Sequence, residues 1–154
     1  MTQKFFAAFL LAATIFSISS CKKSSSSTTT GTGKPFYCKL DGIDFTPSGG
    51  GKYQTLSGAI PGIQIIGDGG MVTTIEIYVP SDAVGTYDLN HAGASNFATV
   101  YVNASNREYL STSGEVKITK SGGGKISGTF KYSAADSAGT MNVTVGEFND
   151  IPKI

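Results

Sequence analysis

The chain has 154 residues, with 12 basic and 11 acidic side chains, 20 glycines, one histidine and no tryptophan. A net charge of +1 leaves no overall basic field of the kind that holds nucleic acid. One histidine and two cysteines are a poor supply for a zinc site, which takes three or four His, Cys or carboxylate ligands, so no metal or cofactor is expected.

Residues 1–20 read as a leader. Lys4 supplies a basic start, and Phe5 to Ile18 is apolar. That stretch makes about 21 Å of helix at 1.5 Å per residue. This is short of a ~30 Å hydrocarbon core, so a secretory signal is expected rather than a permanent span. The run ends Ile18-Ser19-Ser20-Cys21, an apolar residue and two small ones before a cysteine. It resembles the bacterial lipobox, which implies cleavage before Cys21 and acylation of that residue. Residues 21–34 follow as lipidated cysteine and tether. Ser, Thr and Gly bury too little apolar area to offset the entropy of ordering, so disorder is expected there. Lys22 and Lys23 sit where anionic headgroups would be. By analogy with other lipoproteins, the lack of Asp after Cys21 implies the outer membrane, and the lack of an acidic cluster implies its periplasmic side.

From residue 35 the apolar period is two. "FYCKL" alternates Phe36, Cys38 and Leu40 on one face, and Asp41-Gly42 before "IDF" suits a two-residue type I′ hairpin. With Cys21 acylated, Cys38 has no disulfide partner, and a buried inert thiol is expected. Asp68-Gly69-Gly70 separates "IQIIG" from "TTIEIYV". There Ile75, Ile77 and Val79 share a face, Thr74, Glu76 and Tyr78 share the other, and Pro80 stops the strand. "FATVYVN" buries Ala98, Val100 and Val102. "GEVKITK" buries Val116 and Ile118, "KISGTFKYSA" buries Ile126, Phe130 and Tyr132, and "MNVTVGEF" buries Val143 and Val145. "SGGGK" occurs at Ser48–Lys52 and Ser121–Lys125, and the poorly matching flanks favour two glycine turns over a duplication. Residues 35–154 are thus expected to form a single all-β domain, an antiparallel β-sandwich of about nine strands, with an up-and-down β-barrel as the alternative.

"FYCKLDGIDF", "GTYDL", "SGEVKIT" and "ISGTFKYSA" together resemble a family of small, uncharacterised Bacteroidetes-type lipoproteins whose domain has no assigned function. The resemblance covers most of residues 36–148. It implies a fold and supplies no catalytic residue.

The residues themselves offer little chemistry. His91 lies in the loop "DLNHAGASNF" with Asp88 and Ser95, and three residues of one loop rarely converge on a triad. Glu76 and Glu115 sit on outward strand positions, where glutamates keep a sheet soluble. The better lead is aromatic. Tyr78 and Tyr101 alternate against buried valines and isoleucines, and Tyr109 lies near Arg107, the single arginine. Together they form a candidate surface for a ligand or partner, with cross-strand pairing as the competing reading. Ser137, in Asp136-Ser137-Ala138, resembles the O-glycosylation acceptor of Bacteroidetes-type envelope proteins. The expected protein is therefore not an enzyme. It is a lipid-anchored cell-envelope binding module for a glycan or an envelope protein, with a structural role in a larger complex or, less favoured, a hydrolase as alternatives.

Overall fold

The alternation predicted from the sequence is the pattern of burial found. The computed structural model describes residues 31–90 and 95–154, so Cys21, most of the expected tether and His91 lie outside the described residues. The strands are β1 (Phe36–Leu40), β2 (Ile43–Phe45), β3 (Gly51–Leu56), β4 (Gly62–Asp68), β5 (Thr73–Val79), β6 (Gly85–Asp88), β7 (Phe97–Val102), β8 (Arg107–Gly122), β9 (Lys125–Asp136) and β10 (Gly139–Pro152). A single 3-10 turn, Asn103–Ser105, joins β7 to β8.

The fold is all-β and antiparallel, as expected. The strands form one continuous ten-stranded sheet in the order β2-β1-β10-β9-β8-β7-β5-β4-β3, with β6 paired to β8 beside β7. The sheet curls into a half-barrel, so its inner face alone encloses the core that two sandwich layers would share. At the seam Tyr53 meets Lys153 in a short parallel bridge, and Ile154 N–H donates to the Tyr53 carbonyl at 2.9 Å.

The core follows from the period of two. Ile75, Ile77, Val79, Ala98, Val100, Val116, Ile118, Ile126, Phe130, Tyr132 and Val143 are all buried in one cluster. Phe36 packs tightly across the curl. It is fully buried, its ring lies 5.2 Å from that of Phe130, and a methyl placed on Gly67 would sit 2.5 Å from it. The Asp41-Gly42 turn has φ of 47° and 85°, the two left-handed positions that a type I′ hairpin requires. The two SGGGK copies differ in setting: Gly122–Gly124 belong to the β8–β9 turn, whereas Gly51 and Lys52 open β3.

Two findings depart from the sequence reading. Val145, expected inside, is 54% exposed with φ of 52°. A bulge between Val143 and Gly146 inserts an extra residue opposite β9 and reverses the inward-outward parity. A β-branched side chain is ill suited to this left-handed region. Val145→Gly is therefore expected to stabilise the fold by about 1 kcal/mol, within the ~1–2 kcal/mol that left-handed backbone costs an L-residue. Urea titration checks this, and an unchanged or lower midpoint contradicts it. Secondly, residues 31–34 were expected in the tether, yet they dock on the domain. Thr32 N–H donates to Glu147 Oε1 at 2.7 Å and its hydroxyl bonds the same oxygen. Asn149 Nδ2 donates to the Lys34 carbonyl at 2.9 Å, and Lys34 Nζ lies 4.7 Å from the centre of the Tyr37 ring. Glu147 is a buried carboxylate on the outer face, and a donor had to come from somewhere to satisfy it.

Candidate functional site

The outer face of β3, β4, β5 and β7 carries a lateral row of side chains: Gln54, Gln64, Tyr78 and Phe97 stand opposite one another in register. They are hydrogen-bonded across the strands. Gln54 Nε2 donates to Gln64 Oε1 at 2.6 Å, Gln64 Nε2 donates to Tyr78 Oη at 2.8 Å, and Tyr78 Oη donates to Glu76 Oε2. The Tyr78 and Phe97 rings stack with centroids 4.4 Å apart and planes at 17°. Burial, then the bond to Glu76, raises the Tyr78 phenol above its ordinary range, so it stays protonated and remains the donor to that carboxylate. One face of each ring is spent on the other, which is the cross-strand pairing weighed against a ligand surface above. What remains toward solvent is a half-exposed band of Gln54, Glu76, Tyr78 and Phe97, with Gln64 buried among them.

The four aromatic and arginine positions do not form one surface. Tyr78 and Tyr101 are half-buried on the outer face. Tyr101 bonds Asn106 Oδ1, just beyond the 3-10 turn. Tyr109 pairs opposite Val100 and is buried with the core, so it faces inward. Arg107 lies at the same inner edge, 4.9 Å above the Tyr109 ring. Its guanidinium grips Asp136 with two bonds, Nε to Oδ2 at 2.7 Å and Nη2 to Oδ1 at 2.6 Å. Arg107 holds the Asp136 carboxyl below the usual range, and the backbone N–H groups of Ala138 and Gly139 add to this. The carboxylate thereby builds the β9–β10 turn on which Ser137 is exposed. A structural job for Arg107 replaces the surface role that its isolation in the sequence suggested.

Glu76 and Glu115, the pair of carboxylates that glycoside hydrolysis would need, are engaged separately. Glu76 accepts from Tyr78, and Glu115 pairs with Lys131 at 3.1 Å. Among the described residues no group of three or more His, Cys, Asp or Glu is placed to hold a metal. Gln64 and Glu147 were missed in the sequence. Their signal was a polar residue at an outward strand position that the neighbouring strands nevertheless cover.

Cys38 is fully buried, and desolvation pushes its thiol up to about 12. It is expected to resist alkylation in the folded protein at pH 8 and to react at once in denaturant. Because its folded value lies above the unfolded one near 9, its contribution to stability is intact below pH 9 and is lost as pH rises from 9 toward 12. Labelling at the same rate in both states would contradict this.

A shallow depression of about 230 Å³ opens over Gly114, between Lys131, Ser133, Asn142 and Thr144. It is smaller than the ~300–1,000 Å³ of pockets that engulf small ligands.

These features define a small all-β half-barrel whose outer face carries a bonded aromatic and amide band. The chain belongs to the family described as Domain of unknown function (DUF6252), whose model matches residues 51–152. This agrees with the expectation of an uncharacterised domain. No curated protein and no solved structure matches the chain.

Proposed function

We infer that this is a lipid-anchored envelope protein of the Bacteroidetes lipoprotein type, acylated on Cys21 and held on the periplasmic side of the outer membrane. Its β-domain is a non-enzymatic binding module for a glycan or an envelope protein. The observation that carries the reading is Ile18-Ser19-Ser20-Cys21 at the end of an apolar run, followed by a Ser/Thr-rich segment. Two acyl chains or more hold a protein on a bilayer durably, since each buried methylene contributes about 0.8 kcal/mol.

The binding surface under this reading is the outer band around Tyr78 and Tyr101. Half-exposed rings beside a fixed amide suit a polar polymer or a protein surface better than an engulfed small molecule. The test is capture of envelope components from the native host by the domain, compared with Tyr78→Ala and Tyr101→Ala variants. A retained glycan or protein that both variants lose supports the reading, and no capture by the wild-type domain rejects it. O-glycosylation of Ser137 is supported by its exposure on the Asp136-built turn. Mass spectrometry of the native peptide checks it, and a fully unmodified peptide rejects it.

A further inference from the structure

Two side chains on the outer face of the sheet are buried although no second layer covers that face. Tyr37 is 6% and Glu147 7% exposed, and β1 and β10 pair them side by side. What lies over them is the N-terminal arm. Thr32 bonds Glu147 through both its N–H and its hydroxyl. Lys34 Nζ stands 4.7 Å from the centre of the Tyr37 ring and donates to Thr46 Oγ1 at 3.0 Å. Asn149 ties down the end of the arm, its Nδ2 donating to the Lys34 carbonyl at 2.9 Å and its N–H to the Pro35 carbonyl at 2.8 Å.

The sequence of the arm suits this seat. A methyl on Gly31 would stand 3.1 Å from Glu147 Oε2, tighter than ordinary contact. Gly33 has φ of 73°, a left-handed angle that glycine adopts at no steric cost. The Lys34 N–H reaches back to the Thr32 hydroxyl at 3.4 Å across that glycine. Composition alone reads Gly-Thr-Gly-Lys as tether, yet each of the four has a contact or a backbone angle that belongs to the docked form.

The seat is nevertheless held without apolar burial. Gly31, Thr32 and Gly33 are themselves exposed, and the bonds that hold them are polar. Segments with few buried apolar contacts open locally, well before the fold as a whole. The β1–β10 ladder begins only at Phe36, opposite Phe148, so the arm carries no part of the sheet.

We propose that residues 31–34 are a strap, which closes over Glu147 and Tyr37 and opens as a unit while the β-domain stays folded. Closed, it hides a carboxylate and an aromatic ring from solvent. Open, it presents both and returns four residues to the segment that leads to Cys21, a gain in reach of at most about 14 Å. The gain in reach rests on the anchor at Cys21, and the strap itself does not.

The test is carboxylate footprinting of the full chain with a water-soluble carbodiimide and an amine, read by peptide mass spectrometry, with cysteine alkylation on a parallel sample. Glu147 is expected to react slowly in the wild type. Thr32→Pro removes both donors and should raise that rate about tenfold, the order of a hydrogen bond to a charged group. Gly33→Ala, strained only in the closed form, should raise it in smaller measure. Exposed Glu108 on β8 is the internal standard and should not change. Cys38, fully buried on β1 next to Tyr37, should stay unreactive in every variant. Equal Glu147 rates in the wild type and both variants overturn the strap. A rise at Cys38 that accompanies the rise at Glu147 overturns its independence from the fold. Acylation of Cys21 is scored in the same peptide maps, and its lack fails the anchor reading alone.

Discussion

Gly114→Ala is expected to lower the unfolding free energy by about 3 kcal/mol or more. Gly114 has φ of 135°, where an L side chain is strained, and an added methyl would lie 2.4 Å from the Lys131 carbonyl oxygen and from Tyr132 Cα. Strain of this kind costs ~1–3 kcal/mol, and overpacking adds ~1–3 kcal/mol. The cost arises because β8 is bulged between Ser111 and Ser113, just before the chain resumes pairing with β9. That bulge lets one strand serve β7 at its start and β6 near its end. Gly85→Ala is the control. Its methyl would meet Tyr87 only at 3.9 Å, so a change below about 1 kcal/mol is expected. Urea unfolding followed by circular dichroism measures both, and equal effects contradict the account.

Phe36→Ala should cost about 3–5 kcal/mol, the range for emptying a buried aromatic site. The ring packs between β1 and the strands that curl over it, and Gly51 and Gly67 are small because it is there. The pair Phe36 and Gly67 therefore gives a sharper test than either alone. Gly67→Ala places a methyl 2.5 Å from the ring and should destabilise the wild-type protein. In a Phe36→Ala background the same change should be nearly neutral, a coupling of about 1 kcal/mol or more. Additive effects would mean that β1 and β4 do not meet across the curl.

Much of the fold was legible in the residues because an antiparallel sheet with one buried face writes itself as alternation. Ile75, Ile77 and Val79, Val116 and Ile118, and Ile126, Phe130 and Tyr132 all point inward as their spacing requires. So did the Asp41-Gly42 turn, whose chemistry is local. The failures were non-local. Val145 changed face because a bulge is an agreement between two strands, and β10 alone does not announce it. Tyr109 turned inward because its parity is set by pairing with Val100, whereas its proximity to Arg107 in sequence suggested a shared surface. Composition places residues 31–34 in the tether, and only the buried carboxylate of Glu147, far along the chain, gives Thr32 a reason to be held. The polar band was half legible. Tyr78 stands at an outward position by alternation, but Gln54 and Gln64 join it in one row only through the registers of β3, β4 and β5.

The central claim is that Cys21 ties this domain to a membrane, and the most direct measurement is intact-mass and peptide analysis of the protein extracted from native membranes. The account predicts a chain that begins at Cys21 and carries a thioether-linked diacylglycerol and an acylated amine. A membrane-extracted or soluble chain with an unmodified Cys21, or one that retains Met1, would contradict it.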